Sequence, residues 1–113
     1  MLFRHSDRLG RYVVIRQDIY IREYWHVVVF YNIKLAKGIE GYTKTDYGKR
    51  LSIVAIGKTY SADNFLNTII HEAKHVQSHI CKYYNVKEDG EQAAYLIGYL
   101  VMKMYKVFKI LLR

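Results

Sequence analysis

Two histidines four residues apart, His71 and His75, carry the clearest chemical signal in this sequence, and Glu72 directly follows the first of them. Residues four apart lie on the same face of an α-helix, one turn above the other. Two imidazoles placed in this way can bind one zinc ion, and the glutamate can hold or deprotonate a water bound to the metal. The H-E-x-x-H spacing therefore predicts a zinc site on a helix.

A third ligand must come from elsewhere, because a catalytic zinc ion usually has three protein ligands and one position for water. His79 would lie about 12 Å from His71 on a straight helix, so it cannot join the pair around one ion. Glu91 is the better candidate, provided that the first helix ends between His79 and Lys82 and the chain then turns back. The alternatives are two acidic residues just before it, Glu88 and Asp89.

The residues around the motif have the pattern of an amphipathic helix. Ser61 is suited to cap its first turn, and Asn85 can end it in a left-handed conformation. A second long helix is predicted by an acidic start at residues 88–91 and by apolar spacing that continues over roughly six turns to Leu111. The apolar residues of the first helix predict one face that packs on a sheet: Phe65, Leu66, Ile69, Ile70, Ala73, Val76 and Ile80.

β-Branched and aromatic residues predict that the first half of the chain forms strands. The unbroken apolar run within residues 24–35 indicates a strand that is buried on both faces. The polar, threonine-rich residues 41–47 suit a short edge strand, followed by a hairpin turn in which Gly48 supplies the positive φ. Two further strands are predicted at residues 12–17 and at residues 51–56. Either the first of them continues up to residue 22 or a new strand follows it that far.

These elements predict a single α+β domain over residues 1–113. Residues 1–58 would form a small N-terminal antiparallel or mixed sheet, and residues 61–113 would form the two long helices that carry the metal motif. No apolar run approaches the roughly 20 residues that a membrane helix needs. With one cysteine, Cys81, and a charged N-terminus, we expect a cytoplasmic protein without a membrane span.

The sequence also resembles a known family. His71-Glu72-x-x-His75 followed by Glu91-Gln92-Ala93-Ala94 is similar to the H-E-x-x-H…E-x-x-A arrangement of the gluzincin zinc metallopeptidases, and residues 91–99 resemble a stretch of small gluzincin-like phage and prophage proteins. The resemblance covers residues 65–101. It implies a minimal zincin-like domain in which His71, His75 and Glu91 bind zinc and Glu72 is the catalytic base.

The function implied by the resemblance is zinc-dependent hydrolysis of peptide bonds in a peptide or protein substrate. Glu72 would take a proton from the zinc-bound water, whose pKa the metal lowers toward about 7. The residues that can donate a hydrogen bond to the developing oxyanion are Tyr95, Tyr99 and His26. Residues 42–47 can bind an extended peptide by strand addition.

Two other functions remain open at this point. The first is a non-catalytic metal-binding interaction protein of the phage or prophage type. The second is a basic nucleic-acid-binding domain, because the formal net charge is +8. The positive excess is spread, with ten Lys and Arg against five Asp and Glu in residues 1–50 and eight against five in the remainder, so charge alone does not define a binding surface.

Overall fold

The first half of the chain forms one mixed sheet. This computed structural model describes residues 2–6, 13–21 and 24–111. The strands are β1 (Leu2–Ser6), β2 (Val13–Ile21), β3 (Trp25–Tyr31), β4 (Gly41–Asp46) and β5 (Leu51–Ile56). They lie in the order β1-β2-β3-β5-β4, and β3 and β5 pair in parallel whereas the other neighbours are antiparallel. The sheet was predicted to be antiparallel or mixed, and it is mixed, with β4 at its edge.

Three helices follow the sheet: α1 (Ala62–Tyr84), α2 (Glu91–Tyr105) and α3 (Phe108–Leu111). The hydroxyl of Ser61 accepts a hydrogen bond from the backbone N–H of Asn64 at 3.1 Å, and Asn85 ends α1 with a φ of 56°. Both predicted caps are therefore confirmed. α1 has 23 residues and α2 has 15, so the prediction of two long helices is correct for α1 only.

The core lies between the sheet and the helices. Alternate residues of β2 and β3 are buried, as a half-covered strand requires, and Val28 is buried on the opposite face of β3. Leu66 and Ile70 of α1 are 39% and 43% exposed, although the helical spacing placed them on the buried face. The α1 residues that are buried in the core are Phe65, Ile69, Ala73, Val76 and Ile80.

The predicted second helix breaks near its end. The chain forms a turn at residues 106–107, where the N–H of Val107 bonds to the carbonyl of Met104 at 3.2 Å. Val107 is fully buried, and the Phe108 ring lies 5.3 Å from that of Phe65. The break therefore brings Val107 and Phe108 onto the core, a tertiary effect that the continuous apolar spacing did not indicate.

The strand predictions need smaller corrections. β3 ends at Tyr31 rather than at Leu35, because Asn32 has a φ of 63° and its amide donates to the carbonyl of Val13 at 2.8 Å. β2 continues unbroken to Ile21, and β1 was not predicted. In the β4–β5 hairpin the left-handed residue is Arg50, with a φ of 48°, and not Gly48. The start of the predicted strand at Tyr12 lies outside the described residues.

None of the helices in the described ranges is both long and apolar enough to cross a membrane.

Candidate metal centre

His71 and His75 form a pair on the exposed side of α1. Their Nε2 atoms are 3.3 Å apart, and the rings meet edge to face with centroids 4.9 Å apart. Two nitrogens bound to one tetrahedral zinc ion at about 2.0–2.1 Å would be about 3.3–3.4 Å apart. The same distance allows one neutral ring to donate an N–H bond to the other. The helix thus holds two imidazoles at a spacing that suits two ligands of one ion.

Glu72 points in a different direction from the histidines, toward the sheet. Its side chain is buried, and its Oε1 accepts a hydrogen bond from the hydroxyl of Thr43 at 2.7 Å. A Cβ on Gly41 would lie 3.2 Å from Oε2 of Glu72 and 3.0 Å from the carbonyl oxygen of Ala55. The missing side chain at Gly41 therefore makes room for the carboxylate between α1 and β4.

A cleft of about 400 Å³ opens beside this carboxylate. It lies between the chain just before β4 and the first half of α1, and both His71 and Glu72 line it. The other lining residues are Gly38, Ile39, Glu40, Gly41, Asn67 and Thr68. The cleft gives a molecule in solvent a route to the motif from the side of the edge strand.

Strand β4 directs alternate side chains toward α1 and toward solvent. Thr43 and Thr45 are half-buried, whereas Tyr42, Lys44 and Asp46 are exposed. Within the described part of the chain, β4 pairs with β5 alone. The prediction of a polar edge strand is therefore confirmed, and its outer edge has no strand partner among the described residues.

His79 is the end of a chain of hydrogen bonds that starts in the core. The indole N–H of Trp25 donates to Oγ of Ser52 at 3.1 Å, Ser52 bonds to Thr45 at 2.8 Å, and Thr45 bonds to Nδ1 of His79 at 2.7 Å. Burial lowers the pKa of His79, electrostatic interactions with His75 and Lys82 lower it further, and Glu88 acts in the opposite direction. The chain fixes the orientation of this imidazole against β4.

Glu91, the third predicted ligand, is the exposed first residue of α2. The proposed ligand geometry required α1 to end by Lys82, and α1 continues to Tyr84. Among the described residues, no group of three or more His, Cys, Asp and Glu is arranged to hold a metal ion. The structure brings together the two histidines, and the role of Glu91 stays a prediction.

Of the three acidic residues considered as third ligand, Glu88 has a carboxylate that bonds to α1 side chains. It accepts hydrogen bonds from Lys74 and Ser78 at 3.1 and 3.0 Å, and these bonds lower the pKa of Glu88. Lys74 directly precedes His75 and Ser78 follows it by three residues, but among the described residues no hydrogen bond joins Glu88 to His71 or His75. Asp89 follows it in an exposed turn.

The three candidate oxyanion donors lie in other surroundings. Tyr95 and Tyr99 are exposed residues of α2 and line a cavity that includes no residue of the motif. The Nε2 atom of His26 is 2.7 Å from Oδ1 of Asp18, and its ring stacks on Tyr20. The structure therefore does not bring these three residues into contact with the motif.

The sequence did not single out the residues that position Glu72 and His79. Thr43 and Thr45 are the two threonines at alternate positions of β4, a spacing that places both on one face of a strand. That spacing was the available signal, but the partner helix could not be identified from it.

Comparisons of this chain with family models, with curated proteins and with solved structures found no match.

Proposed function

We propose that this protein is a small zinc-dependent peptidase that acts in the cytoplasm, with His71 and His75 as metal ligands and Glu72 as the general base. The observation that carries the proposal is the 3.3 Å separation of the two Nε2 atoms, with His71 of this pair and Glu72 both lining one cleft. A pair of nitrogens at this distance suits a tetrahedral ion. The resemblance to minimal gluzincin-like proteins of phages and prophages adds Glu91 as the proposed third ligand.

The chemistry assigned to Glu72 follows from its surroundings. A bound zinc ion would lower the pKa of its water to about 7. Thr43 donates to Oε1 of Glu72 at 2.7 Å, which holds the carboxylate in one orientation and leaves Oε2 to accept a proton. A general base that is fixed in this way contributes typically about 10²–10⁴-fold to the rate.

The proposed substrate is an extended segment of a peptide or protein. The outer edge of β4 has no strand partner among the described residues, and its backbone can pair with an added strand. The exposed side chains of Tyr42 and Lys44 lie on this strand. A segment bound along β4 would pass beside the cleft that His71 and Glu72 line.

A second candidate function is a metal-binding interaction protein without catalysis. The observation in its favour is that the described residues provide only two converging ligands. Such a site can bind a metal ion and complete its coordination with water or with a partner's side chain. This candidate shares the histidine pair with the peptidase and differs from it in the role of Glu72.

Metal analysis and peptide hydrolysis separate these possibilities. We expect the purified wild type to bind one zinc ion per chain, His71→Ala to lose it, and His26→Ala to keep it as the matched histidine control. Glu72→Gln should keep zinc while zinc-dependent cleavage of a peptide library falls by about 10²–10⁴-fold. Zinc binding that survives His71→Ala overturns the metal site.

The same preparation tests the third ligand and the second candidate. If Glu91 binds the metal, Glu91→Ala should weaken zinc binding and Glu88→Ala should not. Zinc bound by the wild type with no cleavage of any peptide would overturn the peptidase and support the non-catalytic candidate.

A further inference from the structure

A cavity of about 680 Å³ opens on another side of the molecule, between the end of β2, the C-terminal half of α1 and the first turns of α2. None of its lining residues belongs to β4 or to the H-E-x-x-H motif. Five of the eleven described lining residues are tyrosines, out of twelve in the chain: Tyr20, Tyr24, Tyr84, Tyr95 and Tyr99. A concave site of this size, lined mainly by apolar and aromatic residues, is typical of a ligand-binding site.

The tyrosine rings of this cavity are exposed and yet held in place. Tyr20 and Tyr95 are 61% and 76% exposed. Tyr20 stacks on the imidazole of His26 with ring centroids 4.5 Å apart, and Tyr84 packs edge-on against Trp25 at 6.1 Å. Neighbouring rings thus fix two of these tyrosines while their exposed surfaces stay open to a ligand. Contiguous exposed aromatic surface of this kind marks an interaction site.

Positive charge lies next to two other rings of the cavity. The guanidinium of Arg50 is 5.8 Å from the centre of the Tyr24 ring, and Nζ of Lys103 is 5.5 Å from that of Tyr99. Among the residues that the structure describes, the lining includes no acidic side chain. A ligand that combines flat rings with negative charge would therefore gain from both features.

We infer that this cavity binds the bases of a single-stranded nucleic acid. Bases stack on aromatic side chains whatever their sequence, and nearby cations neutralise the phosphates that join them. The amide of Gln92 and the tyrosine hydroxyls can donate hydrogen bonds to base edges. An uncharged apolar compound would gain nothing from the positive charges of Arg50 and Lys103. An acidic peptide would use these charges but would not need as many aromatic rings to stack on.

Binding of a fluorescein-labelled 12-nucleotide oligo-dT or oligo-U to the full chain, followed by fluorescence anisotropy, tests the inference. Tyr95→Ala should weaken binding by roughly 5- to 100-fold, which is the effect of losing one stacked base. Tyr95 is 76% exposed, so its removal should leave the fold intact. Lys103→Gln should weaken binding and reduce its dependence on salt concentration.

Tyr60 provides a matched control for Tyr95. It is 77% exposed and has Nζ of Lys58 at 5.8 Å from its ring, but it does not line the cavity. Tyr60→Ala should therefore bind the oligonucleotides as the wild type does. Removal of zinc by a chelator and Glu72→Gln should also leave binding unchanged, so failure of the proposed peptidase would not affect this result.

Three outcomes would overturn the inference. The first is the absence of oligonucleotide binding at low salt. The second is an equal loss of binding in Tyr60→Ala and Tyr95→Ala, which would indicate a diffuse attraction to the basic surface. The third is an apolar dye that binds in the cavity without competing with the oligonucleotide. Loss of dye binding in Tyr95→Ala would show that the dye occupies the cavity.

Discussion

Helix α1 has two faces that contact the rest of the protein in different ways. Toward β4, hydrogen bonds join Glu72 to Thr43 and His79 to Thr45. Toward α2, the contact is mainly apolar, with one buried bond from the Gln77 amide to the carbonyl of Ala93 at 2.9 Å. Hydrogen bonds depend steeply on distance and angle, whereas apolar contacts tolerate changes of shape.

The difference suggests what each face is suited to do. A face of directed bonds can hold a carboxylate and an imidazole in fixed orientations, as chemistry at a metal centre requires. A face of apolar packing can leave a cavity between elements, as it does near Ile80 and Leu96. Substitutions on the two faces should therefore differ both in the property that they change, stability or hydrolysis, and in the size of the change.

The largest change in stability should come from the apolar face. Leu100 of α2 is fully buried, so Leu100→Ala should lower the free energy of unfolding by about 2–5 kcal/mol through lost burial and a residual cavity. Urea denaturation measures this change in the free energy of unfolding. Met102→Ala, at a position on the same helix that is 47% exposed, should change stability by less than about 0.5 kcal/mol. Equal effects of the two would show that packing does not hold α2.

The next largest change should come from the hydrogen bonds under β4. Ser52→Ala removes the acceptor of the Trp25 indole and the link to Thr45, and should lower the free energy of unfolding by about 1–3 kcal/mol because a buried donor is left without a partner. A double-mutant cycle with Trp25→Phe should give a coupling free energy of about 0.5–3 kcal/mol. Strict additivity of the two substitutions would mean that the bond contributes nothing.

A side chain added at Gly41 should crowd the contact between α1 and β4. Its Cβ would lie 3.0 Å from the Ala55 carbonyl oxygen and 3.2 Å from Glu72, so Gly41→Ala should destabilise the protein by about 1–3 kcal/mol. The same crowding should displace Glu72 and lower any zinc-dependent hydrolysis. Thermal denaturation with a parallel activity assay measures both, and an unchanged activity would show that the carboxylate need not stay in this position.

The smallest change should be a gain in stability at an exposed position of α2, away from its packed surface. Gly98 lies within α2, and a Cβ there would meet nothing within 4 Å. Gly98→Ala should therefore raise the free energy of unfolding by about 0.5–1 kcal/mol, because alanine loses less conformational entropy in a helix. Urea denaturation of Gly98→Ala beside Gly41→Ala should give opposite signs. A loss of stability in both variants would contradict the prediction that a methyl group at residue 98 meets only solvent.

Local features of the fold could be predicted because their causes lie within a few residues. Ser61 caps α1 through the N–H three residues on, and Asn85 ends the helix in the left-handed conformation that its side chain tolerates. The polar edge strand also followed from its own composition. The end of β3 and the break before Val107 could not be predicted, because both depend on residues distant in the sequence.

The candidate site divides in the same way. That His71 and His75 share one helix face follows from the sequence alone, since the period of the α-helix fixes residues four apart. Tertiary structure decided that Glu72 meets Thr43, that His79 meets Thr45 and that tyrosines from β2, α1 and α2 surround one cavity. The physical reason is that backbone geometry sets distances within a helix, whereas contacts between elements depend on how the whole core packs.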